Sequence, residues 1–174
     1  MSLSLQGRRL ELRQIGEEDL SGIAALHQDV RVTRLLVDGV PDTLPRARVF
    51  LDWNRRFQDA GMGNFGVFRR GERDLLGLFS LVPFENEPAV LEFGGKLRPD
   101  AWRGDLGMEA SRVLIGHAFG ALGRDRLVSA FHPDNRSAAL ILRRLGFRDG
   151  ADDVLFGRPV RTMMLQREDW TPPA

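Results

Sequence analysis

Cysteine and tyrosine are absent from the 174 residues, and lysine occurs once, as Lys96. Without cysteine there is no disulfide framework, no thiolate nucleophile and no cysteine-ligated zinc or iron–sulfur centre. Three histidines, His27, His117 and His132, leave little for a His-rich site, so no metal is expected. No apolar run approaches the ~18–20 residues of a membrane span. The N-terminal residues also lack the hydrophobic stretch of a signal peptide. The expectation is a soluble, cytoplasmic domain with no membrane partner. An excess of either charge is missing too, since 25 basic residues face 24 acidic ones and the formal net charge is +1. Arginines make up the basic set apart from Lys96, and acidic residues are interleaved with them throughout. A nucleic-acid binder carries its basic excess in a cluster, so no nucleic-acid partner is expected.

What is present is ordinary globular composition, 43% hydrophobic and 28% charged. The length is that of one domain, taken here as 1–174. Arg9 to Arg13 alternates polar and apolar residues, the period of a half-buried strand. Glu17-Glu18-Asp19 places acids before the amphipathic run Leu20, Ile23, Ala24, Leu26, where a helix dipole favours them. Arg46 to Ala60 reads as a second helix with Val49, Phe50, Trp53 and Phe57 on its core stripe. Strands are expected at Phe65–Phe68 and Leu75–Val82 about an Arg70-Gly71-Glu72 turn, and at Ala89–Leu97. The third contains Gly94-Gly95, and glycine inside a strand marks a bulge or a close approach by a ligand. A helix over about 105–121, a strand at Leu127–Phe131 and a helix ending at Leu145 follow. Gly146 supplies the left-handed C-cap of that last helix and Phe147 the apolar contact behind it. Strands near Val154–Phe156 and Val160–Leu165 complete a mixed α/β (α+β) domain on a largely antiparallel sheet.

Two segments carry candidate chemistry. Pro99 to Gly107 is a glycine-bearing loop running from a strand into a helix, so backbone N–H groups and the helix dipole converge at its mouth. It is neither GxxxxGK[ST] nor GxGxxG, and a tight connection with no ligand has the same composition. The second segment is His132-Pro133-Asp134-Asn135-Arg136-Ser137, leading into Leu140 to Phe147.

These segments resemble the acyl-CoA-binding core of the GNAT acetyltransferase superfamily. Arg9-Leu10-Glu11-Leu12-Arg13, Glu92-Phe93-Gly94, Glu109-Ala110 and Asp169-Trp170 resemble its RimJ/RimL type, the ribosomal-protein N-terminal acetyltransferases. The resemblance implies a mostly antiparallel sheet flanked by helices, with splayed central strands. It also implies acetyl-CoA as co-substrate and a primary amine acceptor, small molecule or peptide. A homodimer stays open. Leu97, Trp102, Arg103, Gly104, Asp105, Leu106, Gly107 and Met108 would hold the cofactor from the strand and loop, and Asn135, Ala138 and Leu142 from the later helix. A main-chain N–H between Gly95 and Leu97 would receive the thioester oxygen. Glu92 and His132 are the candidate general bases. Their bland counterparts are a strand-face glutamate paired with arginine and a turn histidine.

Three departures from the family pattern stand out. Asp105 occupies the place of the loop's central glycine. Either it turns outward as the helix N-cap, with Arg103 supplying compensating charge, or it weakens CoA binding. Leu142 stands where relatives carry an acidic tyrosine, and Ala138 where some carry a serine, with Ser137 one residue earlier. The general acid is therefore unassigned, and a catalytically silent CoA-binding or partner-binding module is the alternative function.

Overall fold

The computed structural model describes residues 3–37 and 40–172. Nine strands are found among them: β1 (Ser4–Gln6), β2 (Leu10–Gln14), β3 (Gly63–Arg69), β4 (Gly77–Phe84), β5 (Glu87–Leu97), β6 (Arg126–Phe131), β7 (Arg148–Asp149), β8 (Asp153–Leu155) and β9 (Arg158–Gln166). The helices are α1 (Leu20–Gln28), α2 (Val30–Thr33), α3 (Leu44–Gln58), α4 (Leu106–Phe119) and α5 (Arg136–Arg144). The sheet runs β1-β2-β3-β4-β5-β6-β9-β7, with β8 pairing β9 off that path. Every pairing is antiparallel except β5 with β6. None of the described helices is long and apolar enough to cross a membrane.

Both faces of the sheet are covered, which is why β3 is buried along nearly its whole length. Leu12, Phe65, Leu81, Leu91 and Phe93 form one cluster with Leu114 and Ile115 of α4 and Leu142 of α5. On the opposite face Phe68 and Leu78 pack with Ile23 and Leu26 of α1 and Ala47 and Leu51 of α3. A third, smaller cluster joins Phe84, Val90 and Val128 to Leu155 and Val160 of the β8–β9 hairpin, with Val37 against it.

The parallel pair is the feature that shapes the molecule. β5 and β6 are in register only at Leu91↔Leu127 and Glu92↔Val128. Beyond that point β5 continues along β4 as far as Leu97↔Gly77. β6 instead continues along β9 to Phe131↔Arg161. The two strands part, and a wedge opens in the middle of the sheet, as the resemblance implied.

Several expectations change. The fully buried stripe of α3 is Ala47, Leu51 and Asn54; of the expected residues Phe50 packs against that core from the side, whereas Val49 is 70% exposed and Trp53 36%. Phe50, Trp53 and Phe57 form a ladder of ring contacts along a partly exposed flank. Asn54 is buried because its side-chain oxygen receives both the backbone and the side-chain amide of Asn64 on β3. β1, α2 and β7 are short elements that periodicity did not reveal, since too few residues repeat to show a face. The Gly94-Gly95 pair is not bulged, for register with β4 runs through it unbroken and shifts only at Pro83/Phe84.

Candidate functional site

The wedge is lined by backbone whose direction can be read from its partners. The Arg98 amide donates to Leu76 O at 2.7 Å on the β4 side. The Leu97 carbonyl points the other way and accepts the Trp102 indole N–H at 2.8 Å. Alternation along extended backbone then turns the N–H groups of Gly95 and Leu97 toward the edge that β6 has left, and the Lys96 amide toward β4. Gly95 is glycine for a packing reason: a Cβ there would lie 2.5 Å from the Phe79 ring. At Gly94 the nearest atom to a Cβ would be the Ser80 Oγ at 3.1 Å, and no other lies within 4 Å. That leaves room on the opposite face of β5, between Glu92 and Lys96.

From β5 the chain enters a single 3₁₀ turn, Pro99–Ala101, and then α4. The bend is made by two successive left-handed residues, Gly104 (φ +79°) and Asp105 (φ +58°). Asp105 is the N-cap by position, but its side chain makes no capping hydrogen bond. A left-handed backbone lacks the extended geometry from which an N-cap side chain reaches back to the first amides. This corrects the capping role considered for Asp105, and no ion pair links Arg103 to it among the described residues. The first amide of α4 to reach back is that of Glu109, to Asp105 O at 3.0 Å. The amides of Leu106, Gly107 and Met108 precede it and have no intrahelical carbonyl.

The side chains of the cofactor candidates divide. Trp102, Arg103, Gly104 and Asp105 are exposed and Gly107 is half-buried. Leu97, Leu106, Met108 and Leu142 are 7% exposed or less and belong to the core. These four side chains, Leu142 among them, pack in the core cluster. Ala138 is half-buried against the same cluster. Asn135 caps α5, its Oδ1 accepting the Ala138 amide at 3.1 Å. α5 closes as expected: the Phe147 amide reaches Leu142 O and the Gly146 amide Arg143 O, both at 3.0 Å, with Gly146 at φ +96°.

Glu92 sits where β5 and β6 part, beside Val82 and Val128, half-buried and engaged by neighbouring groups. His132 ends the wedge side of β6. Its Nδ1 accepts the Asp134 amide at 3.1 Å, so the neutral ring carries its proton on Nε2. His117 is half-buried, with Nε2 2.8 Å from Gly61 O and its ring edge toward Phe65. His27 is 2% exposed, its Nδ1–H donating to Ile23 O at 2.7 Å and its Nε2 without a partner among the described residues. Burial, reinforced by the Lys96 charge, pushes the His27 imidazole down to about 4.

Sequence reasoning missed one residue at the loop. Arg9, read as the start of an alternating strand and of a family-like segment but given no role at the loop, lies with its Nη1 3.9 Å from where a Gly104 Cβ would stand. The Arg-Leu-x-Leu-Arg pattern contained it. Nothing local tells that a partner 100 residues away turns it toward the loop.

Comparison with known proteins agrees with this geometry. An uncharacterized N-acetyltransferase of Bacillus subtilis (strain 168), YoaA, is 24% identical over 148 residues, covering 83% of this chain and 82% of its own. A GNAT-family acetyltransferase from Bacillus anthracis superposes with a TM-score of 0.79 at 19% identity, covering 95% of this chain and 99% of its own. RimJ of Mycobacterium smegmatis, solved in complex with CoA-disulfide, gives 0.76 at 15% identity over 97% of this chain and 88% of its own. Residues 9–148 match the acetyltransferase (GNAT) domain family, and the chain accordingly belongs to the GNAT acetyltransferases as an N-acetyltransferase.

Proposed function

We propose that the protein transfers the acetyl group of acetyl-CoA to a primary amine by direct attack, in the manner of the RimJ/RimL type. The acceptor is a protein N-terminus or a small amine. The observation that carries this reading is the unzipped edge of β5, continuous in sequence with the free N-terminal turn of α4. The amides of Arg103 to Met108 would hold the diphosphate, and the Gly95 or Leu97 N–H the thioester oxygen as it gains negative charge. The loop fits such a group from the protein's side, with Arg103 to Asp105 exposed and a Cβ at Gly104 or Gly107 meeting nothing closer than 3.6 Å.

Glu92 takes a proton from the amine, directly or through one water, so that the nitrogen lone pair is free to attack the carbonyl carbon. The carbon–sulfur bond then breaks. A thiol pKa near 8.5 makes the thiolate a good leaving group, protonated by water. His132 is the weaker candidate base, because its Nδ1 lone pair is already used by the Asp134 amide. The acceptor amine approaches over Gly94, between the α1–α3 layer and the β8–β9 hairpin.

The silent-module reading draws on Asp105 in the loop and on the lack of tyrosine. Thiol release from acetyl-CoA over a panel of amines and N-terminal peptides separates the two. CoA binding with no thiol release for any amine would favour the silent module. Glu92→Gln should cut turnover about a hundredfold or more, the lower end of what a general base contributes, with CoA affinity unchanged; an unchanged rate removes Glu92 from the role.

A further inference from the structure

Glu109 projects from the first turn of α4 back to the start of β2. Its Oε1 accepts the amides of Arg9 at 2.6 Å and Leu10 at 3.2 Å, and its Oε2 accepts Arg9 Nε at 2.7 Å. This carboxylate is only 14% exposed. Burial alone would raise its pKa, but the Arg9 and Leu10 donors together hold it below the usual carboxylate value. The guanidinium is thus pinned by one N–H of its five. Its two terminal nitrogens, carrying four N–H donors, make no hydrogen bond among the described residues. Nη1 reaches the Gly104 side of the loop, 3.9 Å from the Cβ position there.

We infer that Arg9 is a binding residue for the CoA diphosphate, presented to the Gly104–Gly107 loop by Glu109; this rests on the acetyl-CoA reading above. The chemistry needs such a group. Asp105 adds a negative charge to the loop where the family pattern has glycine, and a diphosphate placed there meets like charge. Backbone amides alone offset this only in part. A planar guanidinium with its terminal donors unspent matches two phosphate oxygens at once. Anchoring at Nε fixes the fork before the ligand arrives, so little side-chain freedom is lost on binding. Glu109, by the same argument, is a positioning residue that ties the phosphate-facing end of α4 to Arg9.

The test is calorimetric binding of CoA, dephospho-CoA and pantetheine to the wild-type chain and to Arg9→Met. Arg9→Met should weaken CoA and dephospho-CoA by about tenfold alike, one charge-assisted hydrogen bond, and leave pantetheine unchanged. Arg9→Lys should recover part of the loss, and Asp105→Asn in the Arg9→Met background should recover part as well. Thermal unfolding of each variant shows how much of the chain is folded at the titration temperature. Equal affinities for wild type and Arg9→Met, a loss confined to CoA, or an equal loss for pantetheine would each overturn the inference alone. A wild-type chain that binds no CoA would overturn the acetyl-CoA reading itself.

Discussion

The ring of Phe79 lies against Gly95, so close that a Cβ at that residue would sit 2.5–2.7 Å from three ring carbons. Phe79 is 4% exposed and part of the main core, and cannot swing aside freely. The strand position that carries a candidate oxyanion donor therefore has no room for a side chain beside that ring.

Gly95→Ala follows from that contact. Overpacking should cost about 1–3 kcal/mol, read as a lower midpoint in urea unfolding. Gly94→Ala meets only the Ser80 hydroxyl, and its midpoint should move much less. Phe79→Leu should recover part of the Gly95→Ala loss when the two are combined, because it removes the ring edge. Equal midpoints for the two glycine variants would show that the ring yields.

Asp105 is held in a conformation that suits glycine better. Asp105→Gly should stabilise the chain by up to about 1 kcal/mol, less whatever glycine adds to unfolded-state entropy. It should also tighten CoA binding by removing a carboxylate from the loop. A fall in melting temperature would mean that Asp105 makes a contribution the backbone geometry does not account for.

His27 gives a pH signature of defined sign. Its folded pKa of about 4 lies below the 6.5 of the free side chain. The unfolded chain therefore binds the extra proton first, and stability falls as pH drops from about 6.5 toward 4. The full effect is about 3 kcal/mol. Lys96 opposes protonation and Asp42 favours it, while the Phe50 ring closes one side. His27→Leu removes an unpartnered buried nitrogen and should flatten this limb of the stability–pH curve; a limb that persists in the variant belongs to other groups.

Trp102→Phe deletes the indole donor to Leu97 O. Loss of about 0.5–1.5 kcal/mol is expected, together with a looser join between β5 and the loop. Weaker CoA binding with little change in the turnover of bound acetyl-CoA is the matching kinetic outcome. An unchanged CoA affinity would mean the loop is set by its backbone alone.

Much of this was legible along the chain because the signals are local. Gly146 and Phe147 end α5 as read, since a C-cap needs only adjacent residues. The loop before α4 was found from glycines next to a helix start. α3 was read only in part because its aromatics form a regular stripe of which Phe50 alone packs on the core cluster, whereas the fully buried face is Ala47, Leu51 and an asparagine satisfied by Asn64. An apolar stripe reports a possible buried face, and the neighbouring layer chooses which face is buried. The same limit applies at Leu142, placed by its match to a tyrosine position, whose burial in the main core cluster only the packed layers reveal.

By itself the sequence determined most of the longer strands and helices, the glycine-bearing loop before α4, and the lack of any thiol or phenol side chain, because these depend on residue type and near-neighbour spacing. Only the tertiary structure decided that β5 and β6 separate after Glu92, that Gly95 is demanded by Phe79, and that Glu109 delivers Arg9 to the loop. Each of those is a contact between segments distant in the chain, and hydrogen-bonding partners at such separations are selected by packing rather than by any local preference.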